Sequence, residues 1–112
     1  MNQTEHLQAA QELQATRSRL IVPDDIRTYV EVTLGIAQHY ISYGLDRRYG
    51  SHPDRHAGMA RILRERGHPE VADALVEIEH LLLGRWYGRQ GNGETARRCD
   101  QFLEVIETWA LG

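Results

Sequence analysis

The chain contains no lysine; all 13 of its basic residues are arginines. It contains a single cysteine, Cys99, so an internal disulfide is excluded. No apolar run approaches the roughly 20 residues that a membrane-crossing helix needs, so no membrane span is expected. The opening stretch, MNQTEHLQAAQELQ, has neither a basic start nor an apolar core and does not read as a secretory signal. With no disulfide framework and no signal, the expected location is the cytoplasm. No segment alternates apolar and polar residues for long, which argues against strands. The sequence also lacks an internal repeat, a low-complexity tract, a Walker loop, a dinucleotide fingerprint and an evident DNA-binding motif.

What remains is a chain of 112 residues, 41% apolar and 26% charged, the size and balance of one soluble domain over residues 1–112. Prolines and glycines divide it into helical segments. The first helix is expected from about Thr4 to Leu20, with Leu7, Ala10, Leu13 and Leu20 near helical spacing. Pro23 ends it. Asp24 is placed to cap a long second helix running to about Arg48, and Asp25 suits the positive end of its dipole. Ile26, Val30, Ala37, Ile41 and Leu45 form one apolar stripe of this helix; Val32, Ile36 and Tyr43 form a neighbouring one. A helix apolar on two faces is either central to its fold or meets a second chain, and the latter predicts a homodimer.

Gly50 and Pro53 break the second helix. Asp54 is placed to cap a short third helix that stops at Gly67. Pro69 opens a fourth, whose core face is Val71, Leu75, Ile78, Leu82 and Trp86. A glycine-rich turn, GRQGNG, with Asn92 as candidate cap, leads to a last helix from about Glu94 to Leu111. That helix should bury Ala96, Cys99, Leu103, Ile106 and Trp109 or close neighbours. Short connections favour antiparallel neighbours. The expected fold is therefore all-α, an up-and-down bundle of about five helices.

Charge is placed unevenly on this frame. The formal net charge is −3. Residues 45–66 carry Arg47, Arg48, Arg55, Arg61, Arg64 and Arg66 against Asp46, Asp54 and Glu65, a net of +3. Residues 85–98 carry Arg85, Arg89, Arg97 and Arg98 against Glu94, also +3. If every helix crosses the bundle, Arg47, Arg48, His52, Arg55, Arg85, Arg89, Arg97 and Arg98 gather at one pole. Such a pole is the footprint of a site for phosphate groups or an acidic partner. The alternative is local pairing with carboxylates at helix ends, which leaves little field. Arg17 and Arg19, on the first helix, stand apart from this pole.

Within HPDRH, His52 and His56 have the i, i+4 spacing of a metal-binding pair, but Pro53 and Asp54 mark a helix start between them. No bound metal and no cofactor are therefore expected. His39 and His80 lie inside helices and read as packed or hydrogen-bonded side chains. The glycines of GRQGNG would let backbone N–H groups approach an anion, yet they also suffice for an interhelical turn. Trp86 and Tyr87 read as packing before stacking, and Cys99 as an inert core residue.

The ordered segments YVEVTLGIAQHYISYGLDRRYG, HAGMARILRERG, LVEIEHLLLGRWYG and ETARRCDQFLEVIETWAL resemble the HEPN superfamily, over roughly residues 26–111. The likeness is to its small stand-alone members: an aromatic-rich long helix, a histidine opening the next short one, a leucine-rich helix ending in arginine and tyrosine, and a final helix. The resemblance implies a helical bundle that commonly dimerises. In many relatives it implies a metal-independent ribonuclease, often paired with a nucleotidyltransferase in toxin–antitoxin or defence systems. There an arginine holds the scissile phosphate, and a histidine four to six residues later moves a proton. Arg47 with His52 and Arg61 with His68 fit that spacing, and His56 is a further histidine candidate. Near Arg85, where the motif is expected, no histidine follows. The leading expectation is thus a non-catalytic or weakly active HEPN-like binding protein, a homodimer whose arginines meet RNA, a nucleotide or an acidic partner. A metal-independent ribonuclease and a structural adaptor are the alternatives.

Overall fold

The structure is a computed structural model and describes residues 1–22, 24–53, 55–84 and 91–112. It is all-α: α1 spans Gln3–Arg17, α2 Ile26–Tyr49, α3 Met59–Glu65, α4 Pro69–Leu82 and α5 Asn92–Leu111. Among the described residues there is no strand. No helix among them is long and apolar enough to cross a membrane.

Local chemistry sets most of the boundaries. The Asn2 side chain accepts from the Glu5 N–H at 2.9 Å, and Glu5 reaches back to the Asn2 N–H, a capping box that starts α1. Asp25, not Asp24, precedes α2, and its carboxylate accepts from the Ile21 N–H at 2.8 Å, closing the turn before the helix. Gly50, at φ +77°, supplies the left-handed residue that stops α2. Helix α3 begins at Met59 after Gly58, later than a cap at Asp54 implies; Asp54 itself lies outside the described residues. Pro69 occupies the first turn of α4. Asn92 is the first residue of α5, preceded by Gly91, so it is not the cap.

Helix α2 is central, in contact with α1, α4 and α5. Ile36, Ala37, Tyr40, Ile41 and Leu45 are buried against Val71, Leu75, Ile78, Leu103 and Ile106. Leu81 is buried where the periodicity points to Leu82, Leu82 being half-buried, and Trp86 lies outside the described residues. Both apolar stripes of α2 are covered by the chain's own helices, with Val32 and Tyr43 at the margin of the core. The apolar excess that argues for a dimer is absorbed within one chain.

Helix α3 is too short to cross the bundle, and this decides the topology. Its 7 residues turn the chain around at one end, so α4 starts where α2 stops. His68, just before α4, touches Tyr49 at the end of α2 and Trp109 at the end of α5. Tyr29, in the first turn of α2, reaches Asp100 in α5. Helices α2 and α5 therefore run parallel. Their seam is close at Gly44, where an added Cβ would lie 2.4 Å from Cζ3 of Trp109.

Candidate functional site

This topology separates the arginines expected at one pole. Arg47 and Arg48 stand at the end of α2, and Arg97 and Arg98 at the start of α5, which is the opposite end. With a helical rise of about 1.5 Å per residue, the α5 carbonyls that Arg47 meets lie about 20 Å from Arg97. Arg85 and Arg89 lie outside the described residues. Of the eight residues expected at one pole, Arg47, Arg48, His52 and Arg55 are thus separated from Arg97 and Arg98, because α3 does not span the fold.

The ends differ in what their guanidinium groups touch. At the α5 start, Arg97 donates to both Glu94 oxygens, at 2.6 and 2.8 Å, and Arg98 pairs with the same carboxylate. These bonds hold the Glu94 carboxyl below its usual range. Arg17 is also at this end: it donates to Asp100 and, at 2.8 Å, to Thr33 Oγ1. At the α2 end Arg61 and Arg64 of α3 pair with Glu65 and Asp73, while Arg47, Arg48 and Arg66 meet carbonyls and aromatic rings. Arg47 donates to the carbonyls of Leu111 and Gly112, the latter at 2.7 Å. Arg48 donates to the Trp109 carbonyl at 2.8 Å and lies 4.4 Å from the centroid of its indole. Arg66 lies 4.5 Å from the centroid of the Tyr49 ring, and Arg55 is exposed.

Together these groups form a ladder: Arg48, Trp109, His68, Tyr49, Arg66. The Trp109 Nε1–H donates to His68 Nδ1 at 3.2 Å, which makes Nδ1 the lone-pair nitrogen. His68 Nε2–H then faces the Tyr49 hydroxyl at 2.6 Å, and that hydroxyl points to the Arg66 carbonyl. The neutral imidazole satisfies every one of these bonds, whereas a second ring proton would face the indole N–H. Burial and the Arg48 charge accordingly lower the His68 pKa from its ordinary value. Beside the ladder lies an open cleft of about 660 Å³ between the start of α4 and the outer half of α5. Val71, Val105 and Trp109 give it an apolar floor, while Glu70 and Glu104 line its acidic side. The sequence gives no sign of His68, Trp109, Tyr49 and Arg66 as a group; their convergence depends on α4 starting beside the ends of α2 and α5.

A second cluster joins α1, α2 and the α2–α3 connection. His6 Nδ1 lies 3.0 Å from His39 Nδ1, and His6 Nε2 lies 3.2 Å from His52 Nε2. His52 Nδ1 lies 2.7 Å from Asp46 Oδ1. One proton between each pair of atoms satisfies the whole chain with three neutral rings: His39 donates to His6, His6 to His52, and His52 to Asp46. His6 is buried, and burial together with its histidine neighbours pushes its pKa down to about 4. His39 is hydrogen-bonded, in line with its place inside a helix. His52 pairs with His6 and not with His56, which is exposed on the connection before α3.

No family model, curated protein or solved structure matches the chain.

Proposed function

We propose that the chain is a HEPN-like helical binding protein, without catalysis of its own, that takes a single-stranded RNA at the end where α2 and α5 finish and α4 begins. The observation that carries this reading is the ladder. Guanidinium groups stacked on aromatic rings, beside an apolar-floored cleft, are the components of a single-strand platform: cations for phosphates and π-faces for bases. The acidic side of the cleft directs the phosphate backbone toward Arg48 and Arg66. It leaves Glu70 and Glu104 to accept from the amino groups of an unpaired base. Cleavage is less well supported than binding. Both ring nitrogens of His52 are engaged, and the Arg47 guanidinium is turned to the α5 carbonyls. Dimerisation and a nucleotidyltransferase partner remain implications of the HEPN resemblance alone.

The test is a fluorescence-anisotropy titration of a short labelled single-stranded RNA over a range of salt. Arg48→Ala and Arg66→Ala should each weaken binding and lower its salt dependence by about 0.7 in the log–log slope for each phosphate no longer neutralised. Arg27→Ala should change neither, because Arg27 pairs with Glu31 on the outer face of α2. Arg17, which also stands apart from the ladder, is a part-buried structural side chain. Equal losses in the Arg27 and Arg48 variants would leave only a general charge effect.

A further inference from the structure

We propose that His6, His52 and Asp46 form a binding site for a zinc-class divalent cation, with His39 behind His6. One donor atom from each of the three groups lies within 4.8 Å of the other two. The donor set, two imidazoles and a carboxylate, suits zinc, whereas calcium and magnesium require mainly oxygen ligands. The spacing fits as well. Two nitrogens about 2.0–2.1 Å from one tetrahedral centre stand about 3.3–3.4 Å apart. His6 Nε2 and His52 Nε2 are 3.2 Å apart.

The surroundings supply the orientation that metal-bound histidines need. A ligating imidazole usually donates its other ring N–H to an acceptor, which fixes its tautomer. His39 Nδ1 provides that acceptor behind His6, at 3.0 Å. When a cation replaces the proton between His6 and His52, the His6 proton moves to Nδ1 and the His39 proton to Nε2. Both rings stay neutral, and none of the three imidazoles has to shed a net proton. Asp46 Oδ1 accepts from His52 Nδ1–H, on the other side of that ring from Nε2; as the third ligand its carboxylate would leave this N–H and turn onto the cation, and the His52 N–H would then face the adjoining cleft. The remaining position opens on a cleft lined by Asn2, Gln3, Gly50 and Ser51. Arg47 adjoins Asp46 in sequence, but its guanidinium is directed to the end of α5.

The site has a structural consequence. Helix α1 buries His6 and Ala10, and packs Leu7 and Leu13 against the core. A cation bridging His6 to Asp46 and His52 would add a further tie between the start of α1 and the end of α2, so binding should add to stability.

The experiment uses the whole purified chain, stripped with chelator, equilibrated with zinc and dialysed, with retained metal counted by elemental analysis. Cobalt substitution and thermal unfolding are measured alongside. The expected result is one zinc per chain, tetrahedral ligand-field bands with cobalt, and a raised Tm. His6→Gln and His52→Gln should abolish retention, and Asp46→Asn should weaken affinity by about tenfold or more. His80→Ala should leave binding intact. If the His6 variant loosens α1, His52→Gln lies outside the helices and, with circular dichroism to confirm folding, keeps the test decisive. A folded wild-type chain that retains no zinc would overturn the site. So would one zinc held equally by the folded His52 variant.

Discussion

The two ends of the bundle share a residue type and differ in its partners. At the start of α5, Arg97 and Arg98 share Glu94, and Arg17 pairs with Asp100 while lying 4.2 Å from the centroid of the Tyr29 ring, so each of these arginines has a carboxylate partner. At the end of α2, Arg61 and Arg64 also have carboxylate partners, but Arg48 and Arg66 lie on the rings of Trp109 and Tyr49 with no ion-paired carboxylate among the described residues. Residues 45–66 and 85–98 have the same net formal charge of +3. What differs among the described arginines is the partner each one meets, and that depends on which side chains the fold brings within reach.

The largest effect on this contrast should come from Gly44→Ala. The new methyl group would meet the Trp109 indole at 2.4 Å, against a ring already tied to His68 and Arg48. Displacing the indole should cost about 1–3 kcal/mol and dismantle the ladder from beneath. Chemical denaturation together with RNA titration would register both losses. Unchanged stability and binding would mean that the seam does not hold the ladder.

Next in size is Arg17→Ala, at the other end. It removes the partner of Asp100 and the donor to Thr33 from a side chain that is only 12% exposed. A loss of about 1–3 kcal/mol is expected, with RNA affinity nearly unchanged. Arg48→Ala should show the reverse pattern, weak in stability and strong in binding. Two variants that behaved alike would erase the distinction between the ends.

Acidification should act on the ladder through His68. Its folded pKa is lowered, so its contribution to stability is full above the ordinary value of 6.5 and is lost as pH falls through the folded value. Denaturation midpoints should therefore decline on acidification below about pH 6.5. His68→Asn should make that decline shallower, and an identical decline in the variant would remove His68 as a cause.

The smallest effects belong to the buried cluster at the α2 start. Burial pushes the Cys99 thiol up from 9.0 to about 11, and Tyr29 from 10.0 to about 12. The unfolded chain ionises first there, so stability should fall as pH rises above about 9. Cys99 should label slowly with a thiol reagent until denaturant is added. Rapid labelling of the native chain would show this end to be open.

The helices themselves are legible in the sequence because their signals are local. Gly50, Gly67 and Pro69 act where they stand, and the periodicity of Val71, Leu75 and Ile78 marks one face. The direction of α4 is not legible, because it depends on whether α3 crosses the bundle, and that turns on where α3 begins. Gly58, at φ +90°, delays its start until Met59, and the error in the arginine pole follows from that boundary. The histidine cluster is hidden for a related reason. His6 meets His39 and His52 only through the antiparallel register of α1 on α2, in which Leu13 lies against Gly35 and Arg17 against Thr33. Extending that register toward the start of α1 places His6 opposite the stretch around residue 40. His39 and His80 read alike in sequence, and among the described residues it is His39 that has a helix with a histidine laid across it.

The most direct test of the two-ended account is an NMR titration that follows the Trp109 indole N–H as single-stranded RNA is added. This proton donates to His68 at the centre of the ladder. The account predicts that the indole resonance and the amides around His68 shift together, while the amides of residues 94–98 stay in place. A shift confined to residues 94–98, with the indole unmoved, would contradict it.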